Sequence, residues 1–103
     1  MDKMNRIHVG PDQGNPTFTP RQLEVVESVL NRYFKGWLGS DGTRSWNGHI
    51  EQLKTYSIPD SAQRLDMAAD PFQACFNQLK GHFRFAFLMV ERNGIVTERQ
   101  GVE

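Results

Sequence analysis

The chain has 103 residues, 38% of them hydrophobic and 11% aromatic, which predicts one domain over residues 1–103 with a core that needs no disulfide or metal. Its 12 basic and 12 acidic residues cancel, so bulk charge does not draw it to nucleic acid or to an anionic membrane. The single cysteine, Cys75, excludes an intrachain disulfide, and no apolar run reaches the roughly 20 residues that span a bilayer. We therefore predict a cytoplasmic protein, with nucleic acid and membranes disfavoured as partners.

The first 17 residues are predicted to form an N-terminal arm of strand and loop. Residues 6–9 have the composition of a short strand, which Gly10-Pro11 ends. From there to Pro16 the chain consists mainly of residues typical of loops. We expect residues 1–17 either to pair at the edge of a sheet or to be flexible.

The clearest helix begins after Thr19. Thr19 can cap the helix, Pro20 suits its first turn, and Gln22 stands where a capping box needs an amide. Apolar residues then recur at steps of three and four, which predicts one buried helix face. This face comprises Leu23, Val26, Leu30, Tyr33 and Trp37. Gly36 is predicted to end the helix.

Two strands joined by a turn are predicted next. The turn Ser40-Asp41-Gly42-Thr43 contains a dipeptide typical of tight hairpins, so residues 37–39 are expected to pair with residues 44–49. Residues 50–58 follow as a continuation or a further strand. Gly48 is interpreted as a bulge or bend.

A second helix is predicted after Asp70. Asp70 and Pro71 repeat the pattern of a capped helix start, and Gly81 is expected to end the helix. Its apolar face comprises Phe72, Cys75, Phe76 and Leu79. We expect Cys75 to be buried there.

A central strand and a hairpin are predicted at the C-terminal end. Residues 83–90 are apolar on both faces, which is typical of a strand covered on two sides. Asn93-Gly94 is a strong signal for a type I′ turn. Residues 95–98 are therefore expected to fold back as an edge strand.

These elements follow the order β-α-β-β-α-β with an added C-terminal hairpin arm. The simplest packing is a two-layer α+β sandwich of the ferredoxin-like type, with two helices on one face of an antiparallel sheet. The open face offers room for a second subunit, and the chain has more aromatic area than two short helices cover. We therefore predict a homo-oligomer, either a dimer or a larger assembly.

Sequence motifs of known enzyme classes are missing. The chain has no phosphate-binding loop, no dinucleotide-binding glycine pattern and no nucleophile elbow. His8, His49 and His82 lie far apart and share no metal-ligand spacing. The sequence thus predicts neither a metal site nor a cofactor.

Residues 44–51 combine an indole with several polar side chains and form the candidate functional segment. Strand alternation divides these side chains between two faces. One face has Arg44, Trp46 and Gly48, and the other has Asn47, His49 and Glu51.

The first of these faces suggests a stacking platform. Trp46 with Arg44, joined by Trp37 across the predicted hairpin, can hold a nucleobase or another planar, anion-bearing ligand. The competing interpretation places both tryptophans in the core or in a subunit interface.

The second face suggests proton transfer. His49 and Glu51 are two residues apart on one side of a strand, so the carboxylate can raise the pKa of the histidine, as in a general acid–base pair. A surface ion pair has the same spacing, and no nucleophile accompanies this one.

The segment Phe34-Lys35-Gly36-Trp37, a glycine-containing turn and the pattern Trp46-x-Gly48-x-x-Glu51 together resemble small α+β proteins of unknown function from phages and bacteria. In those proteins a strand with the Trp-x-Gly-x-x-Glu signature follows the first helix, and a phenylalanine-containing strand follows the second. The resemblance covers residues 19–90. It implies a small phage protein that acts by stoichiometric binding, either blocking a host protein or sequestering a nucleotide signal.

We therefore expect a non-enzymatic binding protein of phage type, which sequesters a small nucleotide-like ligand or blocks a host partner such as a defence protein. Its predicted ligand-binding residues are Trp37, Arg44, Trp46, Asn47, His49 and Glu51. The alternative is a small enzyme that uses His49 and Glu51 as an acid–base pair.

Overall fold

The computed structural model describes residues 2–64, 66 and 69–101. This part of the chain contains two α-helices, five strands and a 3-10 turn at Asp60–Ala62. In chain order the helices and strands are β1 (Met4–Val9), α1 (Pro20–Tyr33), β2 (Leu38–Trp46), β3 (His49–Pro59), α2 (Pro71–His82), β4 (Phe87–Arg92) and β5 (Ile95–Gly101). Neither helix has the length and apolar character that crossing a membrane requires.

The strands form an antiparallel sheet in the order β2-β3-β1-β4-β5. The α+β class, with two helices and an antiparallel sheet, is therefore confirmed. β1 lies in the middle of the sheet, because Ile7 pairs with Tyr56 on β3 and with Val90 on β4. The expected edge position of this strand is wrong, since Ile7 and Val9 are apolar and buried on one side of it.

The hydrophobic core lies between the sheet and the two helices. Alternate residues of β1, β3 and β4 are buried on the helix side. The helices contribute Val26, Val29 and Leu30 from α1, and Phe72, Cys75, Phe76 and Leu79 from α2. The buried face predicted for α2 is confirmed.

Helix α1 begins as predicted and ends early. The Thr19 hydroxyl accepts a hydrogen bond from the backbone N–H of Gln22 at 3.1 Å, which confirms the cap. The helix does not reach Gly36. Phe34 adopts an extended conformation with φ −132° and packs its ring on Phe72 at 4.6 Å, so burial of this ring ends the helix.

Helix α2 is capped by Asp70, whose carboxylate accepts a hydrogen bond from the backbone N–H of Phe72 at 3.0 Å. The helix continues through the predicted stop at Gly81 to His82. Cys75 is buried, as predicted.

Two titratable groups are enclosed by this core. Burial raises the pKa of the Cys75 thiol to about 12. Burial also raises the pKa of Tyr56 well above its ordinary value, and so does the hydrogen bond that its hydroxyl donates to Glu27 at 2.9 Å. The folded state therefore stabilises the neutral, protonated form of both groups.

The β2–β3 hairpin turns at Asn47-Gly48 and not at Asp41-Gly42. Both turn residues have positive φ, 51° and 81°, as a type I′ turn requires. Asp41-Gly42 lies within β2, where it continues the ladder with β3. The predicted pairing of residues 37–39 with residues 44–49 is therefore wrong, and Gly48, interpreted as a bulge or bend, is part of the turn.

The C-terminal hairpin follows the prediction more closely. β4 begins at Phe87, later than expected, because Phe85 makes only an isolated bridge to Asp12. β4 lies between β1 and β5, which confirms an interior strand. The turn at Asn93-Gly94 has φ values of 53° and 84°, and β5 is at the edge of the sheet, as predicted.

Candidate active site

The β2–β3 hairpin brings four of the candidate side chains to one face of the sheet. Its register pairs Arg44 with Glu51 and Trp46 with His49, and directly paired residues share a face. Because Glu51 is an odd number of residues from the buried Tyr56, this face is opposite the helices. The predicted separation of these side chains onto two faces is wrong, since the turn between them reverses the chain.

Arg44 is held in place by three neighbours. Its Nη2 and Nε atoms bind the same oxygen of Glu51, Oε1, at 2.6 Å and 2.8 Å. Its guanidinium carbon lies 4.6 Å from the ring centre of Phe87 and 5.7 Å from that of Trp46. Only 17% of the Arg44 side chain and 16% of the Glu51 side chain are exposed. This paired and stacked arginine is a cation in a fixed position.

A cleft of about 420 Å³ lies beside this ion pair. It is lined by Arg44, Trp46, His49, Ile50 and Glu51 from the hairpin, and by Ala86 and residues 13–16. The volume is within the range of pockets that bind small organic molecules. Trp46 is 40% exposed and Ile50 is 69% exposed, so apolar surface is available to a ligand.

The cleft combines an aromatic ring, a cation and a carboxylate. The second carboxylate oxygen of Glu51 has no hydrogen-bond partner in the part of the chain that the structure describes. Arg44 retains N–H donors beyond the two that bind Glu51. This set suits a ligand that has both a planar ring and an amino-acid group, because the ring can stack and the charges can pair.

Four of the six predicted ligand-binding residues are brought together in this cleft. They are Arg44, Trp46, His49 and Glu51. Asn47 occupies the first position of the turn, where its positive φ shapes the hairpin, and it is not among the lining residues.

Trp37 lies apart from the cleft, on the helix side of the sheet. Its ring packs edge-on against Tyr56 with 5.0 Å between ring centres, and its Nε1 donates a hydrogen bond to Asn31 at 3.0 Å. The predicted platform of Trp37, Arg44 and Trp46 is therefore not formed. It required a turn at residues 40–43, which the structure does not have there.

The predicted acid–base pair also differs from the observed contacts. His49 and Glu51 share a face and a cleft, but the carboxylate of Glu51 binds Arg44. His49 is exposed and pairs across the hairpin with Trp46. The imidazole thus reaches the cleft without a bond to this carboxylate.

Sequence reasoning misses Phe87 and residues 13–16. Phe87 belongs to an apolar strand and is indistinguishable there from a core residue, although its alternation with the buried Leu88 places it on the open face. Residues 13–16 have only the composition of a loop. They reach the cleft through tertiary contacts that no local pattern encodes.

A second polar cluster lies on the same face near the centre of the sheet. Nδ1 of His8 is 2.9 Å from the hydroxyl of Thr55, and its Nε2 is 3.0 Å from the carboxylate of Glu91. The side chain of His8 is 15% exposed. These residues contact one another, and none of them lines the cleft. We therefore assign them to the stability of the sheet.

Comparison with known proteins shows the fold. No protein-family model and no curated protein sequence match the chain. Among solved structures, it is similar to a phage SAM lyase in complex with S-methyl-5′-thioadenosine, with a TM-score of 0.60 and 20% identity over 98% of this chain and 88% of that one. It is also similar to a phage SAM lyase in the apo state, with a TM-score of 0.55 and 17% identity over 98% and 89% of the two chains.

These neighbours correct the functional expectation. Both are phage proteins, which agrees with the resemblance to small phage proteins. Both are also enzymes, so the expected non-enzymatic binding protein is contradicted. The alternative, a small enzyme, agrees better with a fold that holds a small ligand in its neighbour.

Proposed function

We propose that this chain is a lyase that cleaves S-adenosylmethionine (SAM) and releases S-methyl-5′-thioadenosine (MTA). The observation that carries the proposal is the cleft, where Trp46, Arg44 and Glu51 meet in a fold shared with a phage SAM lyase bound to MTA. SAM has a planar adenine, a sulfonium cation and an amino-acid end. The cleft has a complementary group for each of them.

The reaction breaks the bond between the sulfonium sulfur and Cγ of the methionyl chain, because MTA keeps the methyl and adenosyl groups. The bonding electron pair goes to the sulfur, which loses its positive charge. A lyase completes the valence of the other fragment without water. Either the carboxylate of the substrate attacks Cγ and forms a lactone, or a base removes a proton from Cβ and an alkene forms.

Arg44 is the residue that we assign to the carboxylate of the substrate. Glu51 and Phe87 fix its position, and it keeps donors for a second carboxylate. A carboxylate held at one place relative to Cγ has already lost the freedom that an attack would otherwise cost. The unpartnered oxygen of Glu51 is assigned to the ammonium group of the substrate.

Trp46 is the residue that we assign to the adenosyl part. Its exposed ring offers an aromatic face in the cleft. The sulfonium loses its charge as the bond breaks, so surroundings of low polarity, such as the ring of Trp46, favour the transition state over the charged substrate. The aromatic wall would thus contribute to rate as well as to binding.

His49 distinguishes the two routes. Elimination needs a base at Cβ, and His49 is the histidine that lines the cleft. If that route operates, His49→Ala should lower the rate by about 100-fold or more. If the substrate carboxylate attacks, the same variant should retain most of the rate, and the second product should have the mass of a lactone.

The test of the function is direct. The purified protein is incubated with SAM, and MTA is quantified by mass spectrometry against a sample without protein, since SAM also decomposes spontaneously. We expect MTA to accumulate in proportion to protein concentration. MTA formation at the rate of the protein-free sample would refute the proposed activity.

The proposal includes a ferredoxin-like arrangement of the sheet and a homo-oligomer in the cytoplasm. The element order β-α-β-β-α-β-β supports the first. The open face of the sheet supports the second, because Leu38 and Val96 are 74% and 49% exposed there. Native mass spectrometry at micromolar concentration should report a dimer or larger assembly, and a monomer would exclude it.

A further inference from the structure

We propose that the turn at residues 12–15 recognises the adenine ring of the ligand, and that the side-chain amides of Gln13 and Asn15 select a 6-aminopurine. This inference rests on the proposed function, because it takes an adenosyl compound as the occupant of the cleft. It goes further by assigning base selectivity to a segment outside the hairpin. Two observations support it: the turn is firmly anchored, and its amides have no partners.

The turn has a well-defined backbone. The N–H of Asn15 donates to the carbonyl of Asp12 at 3.1 Å, which closes a four-residue β-turn. Gly14, the third residue, has φ +89°, a conformation that glycine adopts without strain. The N–H of Gln13 donates to the carbonyl of Arg84 at 2.7 Å, and the carboxylate of Asp12 accepts from the N–H of Arg84 at 3.1 Å.

The turn is also tied to helix α1 through Gln22. This side chain accepts a hydrogen bond from the N–H of Asp12 at 3.2 Å and donates one to the carbonyl of Gly10 at 3.3 Å. Gln22 is 2% exposed, so these bonds are shielded from water. The capping-box role predicted for its amide is replaced by this anchoring role.

A third anchor joins the end of the segment to β3. The carbonyl of Pro16 accepts from the N–H of Gln52 at 2.9 Å, and the side chain of Gln52 accepts from the N–H of Phe18 at 2.8 Å. Residues 12–16 are thus fixed at both ends before a ligand arrives. A ligand does not have to order this wall of the cleft, so less binding free energy is lost.

The side chains of the turn are available for a ligand. Gln13 and Asn15 line the cleft, are exposed, and make no side-chain hydrogen bond in the ranges 2–64, 66 and 69–101. The turn presents no cationic side chain, which disfavours a phosphate or carboxylate at this wall. An amide offers one acceptor and one donor side by side.

This pair of groups matches one edge of adenine. The 6-amino group donates to the amide oxygen while N7 accepts from the amide nitrogen, a bidentate pairing that glutamine and asparagine share. A 6-oxopurine presents two acceptors at this edge, so the amide oxygen would face another oxygen. With the ring stacked on Trp46, the amides of the turn therefore discriminate between adenine and hypoxanthine.

The test measures dissociation constants for MTA and for its 6-oxo counterpart, S-methyl-5′-thioinosine. The wild type should prefer MTA by about tenfold, which is the effect of one hydrogen bond. In the double variant Gln13→Leu/Asn15→Leu the ratio should fall to near one because MTA binding weakens. Gln73→Leu, which changes an exposed glutamine on α2, is the matched control and should keep the wild-type ratio.

A second variant tests the anchored turn itself. No atom lies within 4 Å of a Cβ placed on Gly14, so Gly14→Ala changes only the backbone preference. It should weaken MTA binding and leave the unfolding temperature within a few degrees. Three results would each overturn the inference while SAM cleavage stands. They are a wild-type ratio near one, a double variant that keeps the preference for MTA, and unaltered MTA binding in Gly14→Ala. A wild type that neither binds MTA nor cleaves SAM would overturn both.

Discussion

Two arginines make closely similar contacts at opposite ends of the sheet. Arg44 binds the carboxylate of Glu51 and lies over the ring of Phe87 at 4.6 Å. Arg92 binds the carboxylate of Asp70 at 2.9 Å and lies over the ring of Phe72 at 4.2 Å. Each arginine also lies near an Asn-Gly turn with positive φ at both residues.

The surroundings of the two clusters differ. Asp70 caps α2 and Phe72 is buried in the core, so the Arg92 cluster holds the start of a helix against β4. Arg44 and Glu51 instead line a cleft, together with the partly exposed indole of Trp46. We therefore propose that the same ion pair and ring contact serve stability at one end and ligand binding at the other. The role of such a cluster is decided by what it encloses.

The largest expected effect is the loss of activity in Arg44→Ala. Under the proposed function, removal of the guanidinium leaves the substrate carboxylate without a fixed partner, so kcat/KM for SAM should fall by about 100-fold, or about 3 kcal/mol. The free energy of unfolding should also fall, by about 1–3 kcal/mol, because the carboxylate of Glu51 is shielded from water and loses its partner. Kinetics of MTA formation and urea titration check the two parts. A large loss of stability with unchanged kcat/KM would reverse the roles that we give to the two arginines.

Arg92→Ala should affect stability alone. It removes the ring contact with Phe72 and the ion pair with Asp70, which should lower the free energy of unfolding by about 1–2 kcal/mol. The activity per folded molecule should equal that of the wild type. Urea unfolding and the rate of MTA formation at 20 °C measure both values, and loss of activity in the folded variant would contradict a purely structural role.

Part of the pH dependence of stability is expected to come from Cys75, which lies on α2, the helix that Arg92 contacts. The pKa of Cys75 is raised to about 12 in the folded state, above its unfolded value of 9.0. The unfolded state therefore releases this proton first. The contribution of the thiol to stability should be constant below about pH 9 and fall as the pH rises towards 12, by up to about 1.4 kcal/mol per pH unit. Tyr56 adds a loss of the same sign above pH 10.

Urea unfolding at pH 8, 9 and 10 in the wild type and Cys75→Ala checks this expectation. The variant is less stable at pH 8 because of the cavity, but its stability should decline less between pH 9 and 10. Parallel curves for the two proteins would show that the thiol does not control this window.

The smallest effects are expected at the two turns. Gly48 and Gly94 have φ values of +81° and +84°, and a Cβ at either position would meet no atom within 4 Å. Gly48→Ala and Gly94→Ala should each cost about 1 kcal/mol of stability from backbone strain alone. Only Gly48→Ala should also weaken MTA binding, since Trp46 and His49 flank that turn. Equal effects on binding would show that the position of the hairpin tip does not matter to the site.

Part of the fold follows from local chemistry in the sequence. The caps at Thr19 and Asp70 and the turn at Asn93-Gly94 are short-range signals, and each forms as predicted. The buried face of α2 follows from its apolar spacing. These features need no knowledge of the rest of the chain.

The hairpin that carries the site is harder to predict for a physical reason. β2 lies at the edge of the sheet, and all its residues except Arg44 are exposed, so it lacks the apolar alternation that marks a strand. Asp41-Gly42 and Asn47-Gly48 then compete as turns, and the choice decides which side chains meet. Once the turn is at 47–48, the pairing of Arg44 with Glu51 follows from the register.

The central claim is that SAM is cleaved in the cleft beside Trp46. The fluorescence of Trp46 tests it directly in a Trp37→Phe variant, because the chain has two tryptophans and this variant leaves only the one in the cleft. On titration with MTA, we predict a saturable change in emission, with a midpoint equal to the inhibition constant of MTA for SAM cleavage. A variant that cleaves SAM and is inhibited by MTA while its emission stays constant would place the reaction elsewhere and contradict the account.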